Sequence, residues 1–193
     1  MIKTENFEKV EVTSASQLRN WLEANHSQQE SIWLVTYKKH TGDNYIPHSE
    51  ILDEILCFGW IDGIGRKLDD DRTMQLMSPR RTQHWAKTYK DRAAKLIADG
   101  RMQPAGLKAI EESKRLGLWD AMEDVDALIN PDDLIEALGA QPPAFEYFTH
   151  CAVSYRRNVL RWIKTAKTPQ TRAKRIQATA DLSAKSEKVP HLA

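Results

Sequence analysis

Only two cysteines, Cys57 and Cys151, occur in 193 residues. No disulfide framework can hold this chain, so its stability has to come from an apolar core. Histidine is also sparse. The six (His26, His40, His48, His84, His150 and His191) show no paired ligand spacing, so no zinc site and no metal or cofactor is expected. No window approaches the roughly eighteen consecutive apolar residues that a membrane span requires. The start, Met1-Ile2-Lys3-Thr4-Glu5, leads into polar sequence rather than an apolar run, so no export signal is read. Reduced thiols and a cytoplasmic location are the corresponding expectations. Neither sign of charge dominates, with 28 Lys and Arg against 27 Asp and Glu. No internal repeat, low-complexity linker or signature of a catalysed reaction is present.

The residues that are present order themselves into a clear pattern. Phe7 to Val12 alternates apolar and charged residues, as a short edge strand does. Thr13 to Ser16 supplies N-cap candidates for a helix through Leu18, Trp21 and Leu22. Ser31 to Lys38 is the strongest strand, apolar on both alternations and therefore expected at the centre of a sheet. Pro47 to Phe58 reads as a helix stopped by Gly59. Trp60 to Leu68 and Thr73 to Met77 form a hairpin about Asp69-Asp70-Asp71-Arg72. Everything after Pro79 reads as helical, and Ser186 to Ala193, without periodicity, is expected to fray. The fold class is therefore α+β: a small β-α-β-α-β-β sheet unit over 1–82, followed by an all-helical region over 83–193, the two packed as one integrated domain.

Charge is unevenly placed along this pattern. From Ser154 onward ten Lys and Arg face only Asp181 and Glu187, whereas the segment from Asp120 to Glu136 holds seven acids and no base. The basic segment could bind nucleic acid, dock internally on the acidic one, or simply be solvated. Arg172, Lys174 and Arg175 share no narrow stripe and no DNA-binding motif occurs, so nucleic acid is the least favoured of the three.

The densest chemistry lies between Leu56 and Trp85. Asp62 sits inside a strand, where an unpaired carboxylate is costly to bury, so Arg66, Arg80 or Arg81 is expected to partner it. If Ile61 faces the helices, alternation places Trp60, Asp62, Ile64, Arg66 and Leu68 together on the other face. The candidate ligand site is a cleft walled by Trp33, Tyr37, Trp60 and Trp85, with Asp62 and the guanidinium groups of Arg66, Arg80 and Arg81 as its polar readers. The alternative is an internal salt bridge that fixes strand register. Asp69-Asp70-Asp71 reads as a turn rather than a cation site, and Cys57, at an apolar helix end, reads as packing rather than a nucleophile.

Several ordered stretches together resemble one family. They are Ile32-Trp33-Leu34-Val35 with Lys38-Lys39, Cys57-Phe58-Gly59-Trp60-Ile61-Asp62, Leu68-Asp69-Asp70, Pro79-Arg80-Arg81, Trp85, and Gly100-Arg101-Met102-Gln103-Pro104-Ala105-Gly106-Leu107. Trp162-Ile163, Ala166-Lys167 and Thr171-Arg172-Ala173-Lys174-Arg175-Ile176 complete them. On these the chain resembles the YdeI/OmpD-associated family, also labelled bacteriocin-protection proteins. It departs at Ala86, where the family often has Ser, and at Tyr89, where it often has Asn. The resemblance implies no catalytic residue. It implies a non-catalytic binding or accessory protein in stress or antimicrobial-peptide tolerance, which with the residues above points to a small anionic or aromatic ligand. The alternatives are an enzyme using Asp62 as acid or base, and a nucleic-acid-binding module using the basic C-terminal helices.

Overall fold

The computed structural model describes residues 6–192. The first five residues, on which the reading of the export signal rests, and Ala193 lie outside them. The chain divides into two compact units, 1–120 and 121–193. The helical region expected from residue 83 is thus shared between the two.

In the first unit the order is β1 (Lys9–Glu11), α1 (Ala15–Asn25), β2 (Ile32–Tyr37), α2 (His48–Cys57), β3 (Trp60–Lys67), β4 (Arg72–Pro79), α3 (Lys87–Ala98) and α4 (Pro104–Arg115). The fold class is α+β, as expected. The four strands lie in the order β1-β2-β4-β3, with β1 parallel to β2 and the other pairs antiparallel. β2 is interior, as expected, and Ile32, Trp33, Leu34 and Val35 are buried on both of its faces. Ser14 caps α1 by accepting from the Gln17 N–H at 3.2 Å. The helices cover one face of the sheet. Leu18 and Leu22 of α1, Ile55 and Leu56 of α2, and Ala93 and Leu96 of α3 bury against Ile32, Leu34, Trp60 and Met77.

The β3–β4 turn is held by its own first carboxylate. Asp69 accepts from the N–H groups of Asp71 and Arg72 at 3.0 and 2.7 Å and from Arg72 Nε at 2.8 Å. The Lys38 ammonium donates to the carbonyls of Asp69 and Asp70 at 2.7 and 2.8 Å.

Two glycines seat α4 on this unit. Gly59, at φ +75°, turns the chain from α2 into β3, and a Cβ there would lie 2.9 Å from the Ala105 carbonyl oxygen. A Cβ on Gly106 would lie 2.4 Å from the Cys57 carbonyl oxygen. Backbone meets backbone at both points, which only glycine permits.

The second unit contains α5 (Glu123–Asp126), α6 (Asp132–Gly139), α7 (Ala144–His150), α8 (Val153–Lys164) and α9 (Pro169–Ala184). Its core joins Leu134, Leu138, Phe148, Val159, Leu160, Ile163 and Ala180. The internal docking of basic on acidic sequence is present here. Arg172 grips Asp133 through Nε and Nη2 at 2.7 and 2.8 Å, Lys164 pairs with Asp124, and Arg157 reaches Asp126 at 3.6 Å. The tail does not fray where expected. Val189 is buried and its N–H donates to the Tyr155 hydroxyl at 2.9 Å, while the His191 ring packs edge-on against Trp162.

Candidate functional site

The β3–β4 ladder extends one step beyond β4, where the Arg80 N–H donates to the Gly59 carbonyl at 2.9 Å. That bond fixes where the Arg80 side chain departs. Its guanidinium carbon lies 4.0 Å from the centroid of the Trp85 ring and 5.2 Å from that of Tyr89. Nη1 points to the carbonyls of Gln83 and His84 at 3.5 and 3.4 Å. Nε and Nη2 are buried and, among the described residues, have no hydrogen-bond partner. Burial pushes the Arg80 guanidinium down to about 10, and the neighbouring Tyr89 and Asp62 only partly offset this. Trp85 is fully buried, its indole N–H without a hydrogen-bond partner among the described residues and its ring 4.7 Å from that of Trp119.

Among the described residues, none of the three arginines holds Asp62. Its carboxylate accepts from the Tyr89 hydroxyl and, at 3.0 Å, from the Gln75 side-chain amide. Tyr89 is correspondingly raised, first by burial and then by that hydrogen bond. The alternation of β3 is the reverse of the one considered from sequence. Trp60 packs into the core under the helices, Asp62 shares its face, and Ile61 is only half-buried on the other. A register shift between Asp62 and Gly65 then breaks the alternation, so that Arg66 pairs with Met74. Arg66 therefore lies across the sheet from Asp62, its guanidinium carbon 5.0 Å from the ring of Trp33.

The remaining sequence candidates scatter along the sheet. Tyr37 is at the far end of β2, opposite Arg72, and its hydroxyl donates to Glu11 at 2.5 Å. Trp60 is buried beside Trp21, with ring centroids 5.7 Å apart, and its indole N–H holds the His26 carbonyl at 3.0 Å. Arg81 lies past the end of β4, where Nη2 donates to the Gln29 carbonyl at 2.7 Å. The structure thus gathers Arg80, Trp85 and, through Tyr89, Asp62, and it places Trp33, Tyr37 and Arg66 elsewhere.

A cleft of about 710 Å³ opens where Arg80 and Arg81 meet the α1–β2 connection and α4. Phe58 and Gly59 form its base, His26 and Gln29 one side, and Pro104, Ala105, Lys108 and Ala109 the other. The sequence reading passed over Lys108 and His26. The apolar-to-glycine step at Phe58-Gly59 and the Pro-Ala-Gly opening of α4 were the visible signals, but nothing in either names the other as its neighbour. The one acid on the lining, Glu112, is tied to Arg115 at 2.8 and 2.5 Å, which keeps its carboxyl below the ordinary range. Among the described residues the cleft therefore exposes Arg81 and Lys108, with Arg80 buried in its wall, and no free carboxylate, an arrangement that favours anions. Cys57 is fully buried, and burial pushes its thiol up to about 11, which disfavours the nucleophilic thiolate. Among the described residues, no group of three or more His, Cys, Asp or Glu could hold a metal ion, and no helix is long and apolar enough to cross a membrane.

Two family models match the chain. Residues 10–109, just over half of it, match a domain of unknown function (DUF8412), and residues 127–186 match the family described as bacteriocin-protection, YdeI or OmpD-associated. The stretches of resemblance from Ile32 to Leu107 fall within the first match and those from Trp162 to Ile176 within the second. No curated protein and no solved structure matches. The chain belongs to the DUF8412 family through the unit that carries the cleft, and its C-terminal helices match the model of the bacteriocin-protection, YdeI/OmpD-associated family.

Proposed function

We propose that the protein is a non-catalytic binding protein whose cleft, between the end of β4 and α4, takes a small anionic ligand with an apolar or aromatic body. One observation carries this reading. Arg80 is 9% exposed, lines the cleft, and has no ion-pair partner among the described residues. A buried cation without a counter-ion costs several kcal/mol of desolvation, a cost that an arriving anion offsets. Asp62 lends no support to an acid or base role, since both its oxygens are engaged and it stands outside the cleft lining. The family description fits a role in tolerance of stress or antimicrobial peptides, and the two free cysteines fit a reducing cytoplasm.

Thermal denaturation of the full chain across a panel of small anions tests the reading. At least one anion should raise the midpoint of the wild type, and Arg80→Gln should abolish that shift. A wild type indifferent to every anion, or a variant that responds as the wild type does, would remove it.

A further inference from the structure

The donors around the cleft are varied enough to name the head group of its ligand. Arg81 uses Nη2 on the Gln29 side, and its Nε and Nη1 have no partner among the described residues. Lys108, exposed on α4, likewise makes no hydrogen bond or ion pair among them. α4 itself begins at the cleft with an open end. Gln103 gives no side-chain cap, Pro104 has no N–H, and the Ala105 N–H is unpartnered among the described residues. A twelve-residue helix with an uncapped first turn carries partial positive charge there. In the wall beside this end lies the buried charge of Arg80, only partly compensated by Asp62, which low dielectric makes felt at longer range than a surface charge.

Geometry separates the possible anions. A planar carboxylate is satisfied by one guanidinium fork in one plane. Here a guanidinium, an ammonium and a helix N-terminus approach from different walls. A tetrahedral group with three terminal oxygens and a charge near −2 can meet all three together. The rest of the lining is apolar, with Phe58, Pro79, Ala109 and Leu116 offering more surface than a bare ion covers.

Resting on the anion-site reading above, we propose that the cleft takes a phosphate monoester borne on an apolar, ring-sized body. The phosphate sits between Arg81, Lys108 and the first turn of α4, and the ring lies over Phe58 toward Leu116.

Calorimetric titration of the full chain at low ionic strength with phenyl phosphate, inorganic phosphate and benzoate tests this. Phenyl phosphate should bind about tenfold or more tighter than either of the others. Arg81→Ala and Lys108→Ala, both at exposed positions, should each weaken it by about fivefold or more. Benzoate binding as tightly as phenyl phosphate, with the same two variants weakening it, would overturn the phosphate assignment and leave the anion site standing. Inorganic phosphate binding equally tightly would overturn the apolar body. Phenyl phosphate affinity untouched by both variants would place its binding elsewhere and overturn the proposal. Failure of all three probes, together with an anion panel that shifts nothing, would remove site and ligand alike.

Discussion

The guanidinium carbon of Arg80 stands 4.0 Å from the ring centroid of Trp85, and no acidic side chain among the described residues lies within ion-pair distance of it. The aromatic face offsets part of the charge, since a desolvated cation over indole is worth about 2 kcal/mol. It does not supply the hydrogen bonds that Nε and Nη2 lack. Arg80 is therefore a position where stability is given up, and removal of its charge should reveal that.

Replacing Arg80 with Met keeps the contact with Trp85 and deletes the unpaired charge. Urea denaturation should show the variant as stable as wild type or more stable by up to about 2 kcal/mol, together with loss of any response to anions. A variant clearly less stable than wild type would mean that Arg80 is a net structural contributor.

Asp62 should behave in the opposite way. Asp62→Ala leaves the half-buried Tyr89 hydroxyl and the Gln75 amide without their shared acceptor. Denaturation should report a loss of about 1–3 kcal/mol, while affinity for an anion in the cleft should change less than twofold. A large change in affinity with little change in stability would return Asp62 to the ligand's immediate surroundings.

Gly106→Ala tests the seating of α4. The added methyl would meet the Cys57 carbonyl, which is backbone and cannot swing aside. The expected cost is about 1–3 kcal/mol, with weaker anion binding because Lys108 moves with the helix. An Ala variant of wild-type stability would show that α4 lies further from α2 than described.

In the second unit the Arg172 guanidinium beside Asp133 holds that carboxyl below its ordinary value of 3.8. As pH falls, the unfolded chain takes up this proton before the folded one does. The pair's contribution is therefore present above the unfolded value and is lost as pH drops through the depressed folded one. Wild type should lose more stability between pH 5 and pH 3 than Asp133→Asn does, as measured by urea midpoints. Equal losses would mean that the pair is not linked to folding.

Much of the first unit could be read from its residues, because its signals are local. β2 is apolar on both alternations, Gly59 stops α2, and Asp69 sits at the first position of a turn. Arg80 and Trp85 were also visible, five residues apart on one connection. Trp33 and Tyr37 were not separable from them by pattern, since which face or end of β2 meets the site depends on how β4 pairs. Arg66 was misplaced because alternation was carried through Gly63 and Gly65, where the register slips. Lys108 was missed for a different reason. It joins Arg81 in the cleft only through the backbone contacts of Gly59 with Ala105 and of Gly106 with Cys57, relations between residues nearly fifty positions apart. No periodicity reports such a contact.

The slip in β3 falls on the outermost strand of the sheet. A continuous flat rim there would offer a row of unused amides and carbonyls to any passing extended chain, whereas the kink at Gly63 and Ile64 interrupts that row halfway. A variant shortened by one residue at this point would straighten the rim, leave Arg66 opposite Met74, and make the molecule prone to joining copies of itself edge to edge.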